Sequence, residues 1–287
     1  MKIPKRLQPL VDEGLIDEVV RPLMSGKEAD VFIVRCGDDV RCAKIYKEAD
    51  KRSFKKAVEY REGRKGRNSR RSRAMEKGSN YGRQEQEQAW QNAEVDAQFR
   101  SAYACVRVPQ PYGCFDGVLL MELVTDDAGY VAPRLNDITL TAEMAKAHHY
   151  QVMKDVQRML CAGLIHGDLS EFNVLLDDRG PVIIDLPQAV DAAANNNAKR
   201  MLLRDVNNMT QYYGQFAPSL LTTKYAQEMW LKFESGQLSP ESELTGEYIE
   251  SEHTADINAV LEEIQAAFEE EQERKERIKD AAEQDEY

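Results

Sequence analysis

The chain has 287 residues, of which 31% are charged, and its formal net charge at pH 7 is −12. Hydrophobic residues make up 42% of it, which is enough for a sizeable core and excludes a fully disordered chain. The sequence contains neither an apolar signal segment nor a run of about eighteen apolar residues, so we expect no membrane partner and a cytoplasmic location. Five cysteines occur singly without C-x-x-C spacing, which predicts reduced, mostly buried thiols.

The first predicted elements are a short accessory helix over residues 1–20 and a group of strands. Three strands are predicted, at residues 21–24, 30–34 and 40–46, and the last two are rich in Val, Ile and aromatic residues. Lys44 lies in the third strand, at an alternating A-K-I position where a kinase lysine contacts the phosphates of a nucleotide. The turn at residues 25–29 contains one glycine instead of the G-x-G-x-x-G pattern, so an ordinary hairpin turn remains the alternative there.

A strongly basic segment follows the third strand. Residues 51–83 contain thirteen Lys and Arg against three Asp and Glu, a local net charge of +10. The segment has no apolar periodicity and contains Gly and Ser, so we expect a flexible loop. Its positive charge predicts contact with RNA or an acidic partner, and a solvated tether is the alternative.

A hinge between two lobes is predicted after a buried strand over residues 117–121. Glu122 and Leu123 follow that strand and begin a polar segment, which makes them the hinge candidates. Met121 would then face an adenine ring, or would be an ordinary core methionine. The adjacent His148 and His149 cannot face one ligand together, and we expect them at the surface or at an interface.

The most specific pattern is H-G-D-L-S-E-F-N at residues 166–173, followed by I-I-D ending at Asp185. Phosphoryl transfer needs one carboxylate to orient a hydroxyl, and an amide oxygen with a second carboxylate to hold Mg²⁺ on the phosphates. Asp168, Asn173 and Asp185 match those three types in that order. Two short apolar runs, at residues 174–176 and 182–184, predict a hairpin. Asn173 and Asp185 would lie at neighbouring ends of its two strands. Asp168 as a simple turn cap is the alternative, which the ordered set disfavours.

Together these segments resemble the RIO family of atypical serine/threonine protein kinases, in particular a bacterial-like member of its type-one branch. The resemblance runs from about residue 21 to residue 216, and four segments carry it: S-G-K-E-A-D-V-F at 25–32, C-A-K-I-Y-K at 42–47, H-G-D-L-S-E-F-N at 166–173 and I-I-D-L-P-Q at 183–188. It implies an α+β, two-lobed protein-kinase-like fold with a β-rich N-lobe and a reduced, mainly helical C-lobe.

The resemblance also implies roles for individual residues. Asp168 is the expected catalytic aspartate, Asn173 and Asp185 the metal ligands, and Asp185 additionally an aspartyl-phosphate acceptor. Lys44 is expected to contact the α- and β-phosphates with Glu94 as its partner, although Glu85 and Glu87 lie on the same polar helix. The remaining expected nucleotide contacts are Ser25, Lys27, Val31, Met121, Glu122, Leu123 and Leu175. The expected cofactors are ATP and Mg²⁺, with Mn²⁺ as the alternative ion.

The C-terminal end is acidic. Residues 234–287 contain eighteen Asp and Glu against four Lys and Arg, a net charge of −14, and an apolar stripe at helical spacing begins at Ile257. We expect a helix from about residue 254 and a charged tail after it. The predicted division is an accessory helix at 1–20, a kinase domain at 21–253 (N-lobe about 21–121, C-lobe about 125–253) and an acidic helix and tail at 254–287.

The sequence therefore predicts an ATP- and Mg²⁺-dependent serine/threonine protein kinase that also phosphorylates itself. No A-P-E motif follows Asp185, so we expect no activation segment. Self-phosphorylation is expected in the basic segment, at Ser69, Ser72 or Ser79. Two alternatives remain open: an ATPase-driven ribonucleoprotein or ribosome assembly switch, and a small-molecule kinase of the aminoglycoside or choline type.

Overall fold

The computed structural model describes residues 3–26, 29–47 and 80–248, with side chains from residue 91 onward in the last range. The chain separates into two units, Met1–Gly246 and Glu247–Tyr287, and only the first two residues of the second unit are described. The helix predicted from about residue 254 and residues 51–79 of the basic segment therefore lie outside the described residues. Within the described residues, no helix has the length and apolar character that crossing a bilayer requires.

A five-stranded antiparallel sheet forms the N-lobe. Its strands are β1 (Glu18–Ser25), β2 (Ala29–Cys36), β3 (Asp39–Tyr46), β4 (Pro111–Phe115) and β5 (Val118–Glu122), in the order β1-β2-β3-β5-β4. The four strands predicted from the sequence are confirmed, and β4 is an addition. Pro and Gly make its sequence P-Y-G-C-F a poor strand pattern, yet a proline is tolerated because it is the first residue of an edge strand.

The N-terminal residues complete the core of this sheet. The helix α1 (Gln8–Asp12) is shorter than the accessory helix predicted over residues 1–20. Leu7, Leu10 and Ile16 are at most 1% exposed and pack in one cluster with Val34 of β2. Burial of large aliphatic side chains contributes roughly 1.5–3 kcal/mol each, so this short segment anchors one face of the sheet.

The helix α2 (Asn80–Tyr103) comes between β3 and β4 in the sequence. It begins at Asn80, so residues 80–83 are helical instead of part of the predicted basic loop. Its described side chains include Glu94 and Gln98, which are both buried. Gln98 Nε2 donates to the carbonyl of Pro109 at 2.6 Å and so ties the helix to the entry of β4.

The C-lobe is mainly helical. Its elements are α3 (Ala142–Cys161), β6 (Leu164–Ile165), β7 (Val174–Asp177), β8 (Gly180–Ile183), β9 (Val190–Asp191), α4 (Ala198–Gly214) and α5 (Tyr225–Glu234). Thr141 caps α3 by accepting a hydrogen bond from the Met144 amide at 3.2 Å, an arrangement that satisfies one free N–H of the first turn. The predicted hairpin is confirmed as β7 paired with β8. The two-lobed α+β fold predicted from the sequence is therefore present.

Two expectations about polar side chains are wrong. Of the five free cysteines only Cys42 is buried, and Cys105 and Cys114 are exposed. His149 is 1% exposed and its Nε2 lies 3.0 Å from the Thr210 hydroxyl of α4. Adjacent helical residues point in different directions, which shows that the two histidines cannot share a ligand but does not show which of them faces the core.

Candidate active site

Lys44 of β3 contacts a carboxylate on each side. Its Nζ lies 2.5 Å from Glu94 Oε1 of α2 and 2.9 Å from Asp185 Oδ1, two residues after β8. The predicted ion pair between Lys44 and Glu94 is thus present. The side chains of Lys44 and Glu94 are only 11% and 3% exposed, so their attraction is weakly screened by solvent. Lys44 consequently joins the N-lobe sheet, α2 and the segment that follows β8.

Lys44, Glu94 and Asp185 shift one another's pKa values. Burial opposes the charge on Lys44, but Glu94 and Asp185 outweigh that effect and raise the pKa of Lys44 above its usual value. Burial also opposes ionisation of Asp185, yet the charge and hydrogen bond of Lys44 prevail and lower the pKa of this carboxyl. Burial raises the pKa of Glu94, and Lys44 offsets this only in part. At neutral pH a cationic Lys44 therefore faces an ionised Asp185.

His166 orders the start of the 166–173 loop from the inside. It is 2% exposed, and burial lowers the pKa of its imidazole, which favours the neutral ring. The Asp168 amide donates to Nδ1 at 3.3 Å, so Nδ1 must be the unprotonated nitrogen. Nε2 then carries the hydrogen and donates to the Ile184 carbonyl at 3.1 Å. One neutral tautomer thus connects the backbone at Asp168 with the residue before Asp185.

Three side chains of α4 hold the same loop from the other side. Asp205, 1% exposed, accepts from the Gly167 amide at 2.7 Å and from the Leu169 amide at 3.2 Å. Arg204 donates to the Gly167 carbonyl, and Asn208 donates to the Leu169 carbonyl at 3.0 Å. Burial raises the pKa of Asp205 to about 7, while the Gly167 amide and Arg204 oppose that shift. These backbone contacts fix the loop without using the Asp168 side chain.

Sequence reasoning missed this α4 group. Its one signal is the R-D-x-x-N spacing, since residues four apart lie on one face of a helix. A polar face on a helix is usually solvated, and the sequence does not show that a distant loop covers it.

Asn173 links the predicted catalytic and metal-binding residues. Its Nδ2 donates to the Asp168 carbonyl at 2.9 Å, and its own carbonyl accepts from the Ile184 amide at 2.9 Å. The exposed Asp168 carboxylate has no hydrogen-bond partner within the part of the chain that is described. Asp185 has φ +67°, the left-handed region that Asp tolerates better than most residues. The structure therefore brings Asp168, Asn173 and Asp185 to one place.

Several of the expected nucleotide contacts lie near the end of β5. Leu175 packs against a cluster of Val124, Ala132 and Val182, which connects β7 and β8 to the segment after the hinge. Glu122 pairs with Gln110, accepting from its amide at 3.0 Å through Oε2 and donating its own amide to the Gln110 carbonyl at 2.9 Å.

The other expected nucleotide contacts near this end of the sheet differ in burial. Met121 and Leu123 are half-buried, and Met121 packs near Tyr46 and Leu119. Val31 is 6% exposed and lies opposite Lys44 in the β2–β3 ladder.

The 25–29 turn is held by side chains. Ser25 Oγ donates to Asp30 Oδ1 at 2.5 Å, and Lys47 Nζ lies 3.0 Å from the same carboxylate. Lys47 also donates to the Gly26 carbonyl at 2.7 Å. The expected nucleotide contact Lys27 lies outside the described residues. Among the residues described, the turn is thus held by the side chains of Asp30 in β2 and of Lys47, which follows β3.

The side chains present fit a magnesium ion whose coordination would be completed by phosphate oxygens and water. In the described residues no group of three or more His, Cys, Asp or Glu side chains converges as a metal site. Mg²⁺ is commonly bound through one or two carboxylates plus substrate phosphates and retains several waters. The Asn173 amide group donates its nitrogen to the Asp168 carbonyl, which leaves its Oδ1 available as a protein oxygen in addition to the Asp185 carboxylate.

Comparison with known proteins matches the RIO domain to residues 30–226, about two-thirds of the chain. The chain belongs to the RIO domain family. A relative from Haloferax volcanii, named RIO-type serine/threonine-protein kinase Rio1, is 35% identical over 210 residues, covering 71% of this chain and 66% of its own length. A protein of the same name from Methanocaldococcus jannaschii is 30% identical, covering 69% and 63%.

The human serine/threonine-protein kinase RIO1 is 28% identical to this RIO chain, covering 75% of it and 36% of the human protein. The chain thus spans less than two-thirds of the length of these relatives. A solved kinase domain covers 72% of this chain and 65% of its own at 15% identity, with a TM-score of 0.40. The fold assignment therefore rests on the chain's own strands and helices and on the family match.

Proposed function

We propose that this RIO-family chain is an ATP- and Mg²⁺-dependent serine/threonine protein kinase that transfers the γ-phosphoryl group of ATP to a protein hydroxyl, its own included. The observation that carries the proposal is the contact of Lys44 with both Glu94 and Asp185 beside the 166–173 loop. A phosphoryl-transfer site needs a fixed cation for the phosphates and a carboxylate for the metal within reach of each other.

Asp168 is the proposed catalytic aspartate. Its exposed carboxylate accepts the proton of the attacking hydroxyl while that oxygen forms a bond to the γ-phosphorus and the bond to the β-phosphate oxygen breaks, releasing ADP. The neutral His166 and the α4 contacts hold the backbone of Asp168 in place for this step. Positioning of this kind removes the entropy cost of aligning the two reactants.

Asn173 and Asp185 are the proposed metal ligands, and Lys44 the proposed contact to the α- and β-phosphates. A Mg²⁺ ion held by these residues, or Mn²⁺ in its place, would neutralise charge on the transferring phosphates. Further proposed nucleotide contacts are Ser25, Lys27, Val31, Met121, Glu122, Leu123 and Leu175. Asp185 is also the candidate acceptor in an aspartyl-phosphate route, in which its carboxylate oxygen replaces the hydroxyl as nucleophile.

The proposed kinase domain covers residues 21–253, between the accessory segment 1–20 and the acidic segment 254–287. We place the chain in the cytoplasm, where ATP is abundant and thiols such as the exposed Cys105 and Cys114 stay reduced. The basic segment 51–83 is the proposed contact for RNA or a ribosomal particle. It is also the proposed self-phosphorylation segment, through Ser69, Ser72 or Ser79.

A second candidate function is an ATPase that drives a ribonucleoprotein or ribosome assembly step. The observation in its favour is the short connection between Asp185 and α4, since residues 186–197 leave little chain for docking a peptide substrate. In this reading water is the phosphate acceptor and phosphorylation of other proteins is weak.

One experiment separates these functions. Purified chain is incubated with γ-labelled ATP and Mg²⁺ in the presence of no partner, generic proteins, small alcohols or RNA particles. A protein kinase labels itself and protein hydroxyls, with phosphate at residues 51–83 by mass spectrometry. Release of free phosphate that RNA particles stimulate, without labelled protein, supports the assembly switch. Labelled small alcohol supports a small-molecule kinase, and absence of any ATP turnover contradicts the proposed function.

A further inference from the structure

Arg134 is a cation at the candidate site that no sequence pattern singled out. It lies between the hinge segment and a short 3₁₀ turn at Leu135–Asp137, and its side chain is half-buried. Its Nη2 donates to the sulfur of Met24 in β1, at 2.9 Å and across 110 positions of the chain. A thioether is a weak acceptor, so this contact alone does not account for a guanidinium at this position.

The backbone places Arg134 on the nucleotide side of the C-lobe. Arg134 and Leu175 form an antiparallel bridge, and directly opposite residues of such a pair point to the same face. Leu175 is one of the expected nucleotide contacts. Pro133 reinforces this pairing, because its carbonyl accepts the Leu176 amide at 2.9 Å. The Arg134 side chain therefore leaves the chain beside Leu175 and extends toward β1.

The β7–β8 hairpin connects Arg134 to the metal-binding end of the site, since Leu175 pairs with Val182 of β8, three residues before Asp185. No carboxylate lies within ion-pair distance of the guanidinium in the part of the chain that the structure describes. Lys44, in contrast, has two carboxylates within 2.9 Å. Arg134 thus combines a position between β1 and Asp185 with an unneutralised, forked donor group.

We infer that Arg134 is a phosphate-binding residue, whose guanidinium takes the terminal phosphate of a bound nucleoside triphosphate between the end of β1 and Asp185. Arginine donates in a planar fork that matches phosphate oxygens, and it stays charged at any working pH. The inference rests on the proposed function, since it assigns a residue to the ATP site. It makes Arg134 the group that distinguishes ATP from ADP.

The test compares the affinities of three ligands, measured by calorimetry with Mg²⁺: a non-hydrolysable ATP analogue, ADP and adenosine. Arg134→Gln should weaken binding of the analogue about tenfold or more, as expected for a lost hydrogen bond between charged groups. ADP affinity should fall less than about threefold, and adenosine affinity should not change. Arg134→Lys, which keeps the charge without the fork, should lie between Arg134→Gln and the wild type and covers the case in which the glutamine variant fails to fold.

Two control variants exclude a structural explanation. Met24→Leu removes the sulfur but keeps the size of the side chain, and it should leave the preference for the analogue over ADP unchanged. Arg35→Gln removes an exposed arginine of β2 that pairs at 3.3 Å with Glu18, at the end of β1 away from Met24. It should leave the affinity for all three ligands unchanged.

An unchanged preference for the analogue over ADP in both Arg134 variants, or the same loss in Met24→Leu as in Arg134→Gln, would overturn the inference. If the wild type binds none of the three ligands, the proposed function itself fails.

Discussion

The 166–173 loop and the 25–29 turn flank the same site but are held by different kinds of contact. The loop is fixed through its backbone, by the buried His166 and Asp205 and by Arg204 and Asn208. The turn is fixed through partly exposed side chains, chiefly Lys47 with Asp30. Polar contacts are stronger and costlier to break where solvent is excluded. We therefore expect the loop to be rigid and the turn to adapt to the nucleotide.

Removing Lys44 should have the largest effect, because Lys44 is the contact that connects the N-lobe side of the site to Asp185. Lys44→Met should reduce turnover about a hundredfold or more, the loss typical of a missing electrostatic group at a reaction centre. Steady-state ATP turnover and thermal melting measure activity and folding separately. The matched control is Lys146→Met, which alters an exposed lysine of α3. Turnover within twofold of the wild type in Lys44→Met would show that the ion pairs with Glu94 and Asp185 are only structural.

The rigidity of the 166–173 loop is tested by substituting Asp205. Asp205→Asn replaces one acceptor oxygen with a donor that faces a backbone amide, so one of the two loop contacts is lost. Turnover should fall about tenfold or more, and the free energy of unfolding should fall by about 1–3 kcal/mol. Nucleotide affinity should change less than threefold, because the contacts proposed for ATP lie elsewhere. Equal losses in turnover and nucleotide affinity would contradict a role confined to the loop.

Asp205 also predicts a pH dependence of stability. Its pKa in the folded state, about 7, lies above the usual carboxyl value, so the folded state binds more protons than the unfolded state between these two values. The stability contributed by this group is fully present below about pH 4 and is lost as pH rises through about 7. Melting curves at pH 5 and pH 8 should therefore differ less for Asp205→Asn than for the wild type.

In the 25–29 turn, Lys47→Met should have a smaller effect on ATP binding and on stability. Lys47 bridges Asp30 and the Gly26 carbonyl, and partly exposed ion pairs contribute about 0–1 kcal/mol. We expect ATP affinity to fall about two- to fivefold, with unfolding free energy changed by less than about 1 kcal/mol. Calorimetric titration with a non-hydrolysable ATP analogue gives the first value and denaturant unfolding the second. A loss as large as that in Lys44→Met would mean that the turn, too, is held rigidly.

The smallest effect concerns His149, which is buried in the C-lobe against Thr210 of α4. Burial lowers its pKa to about 4, so the unfolded state binds the extra proton between about pH 6.5 and 4. Stability from this group is present above pH 6.5 and declines as pH falls toward 4. His149→Gln should flatten that decline in melting temperature. His148→Gln, at the half-buried neighbour, is the control and should flatten it less.

How much the sequence predicts differs between the two sides of the site. The β7–β8 hairpin follows from two short apolar runs joined by a turn, and the Lys44–Glu94 pair follows from the resemblance to the RIO family. The α4 contacts do not, since Asp205 binds backbone groups more than thirty positions away and any residue type has those groups. Arg134 is missed for a similar reason, because only the tertiary bridge to Leu175 places it at the site.

The central claim is that the 166–173 loop presents Asp168 as the catalytic aspartate. Asp168→Asn tests it most directly, because the substitution keeps the size of the side chain and removes only its charge and basicity. Single-turnover phosphoryl transfer is measured with Mg²⁺ and γ-labelled ATP, alongside nucleotide affinity. We predict a loss of about a hundredfold or more in the transfer rate with affinity within threefold of the wild type, whereas Asp185→Asn should also weaken Mg²⁺-dependent nucleotide binding. Full transfer by Asp168→Asn would contradict the assignment of this loop as the catalytic centre.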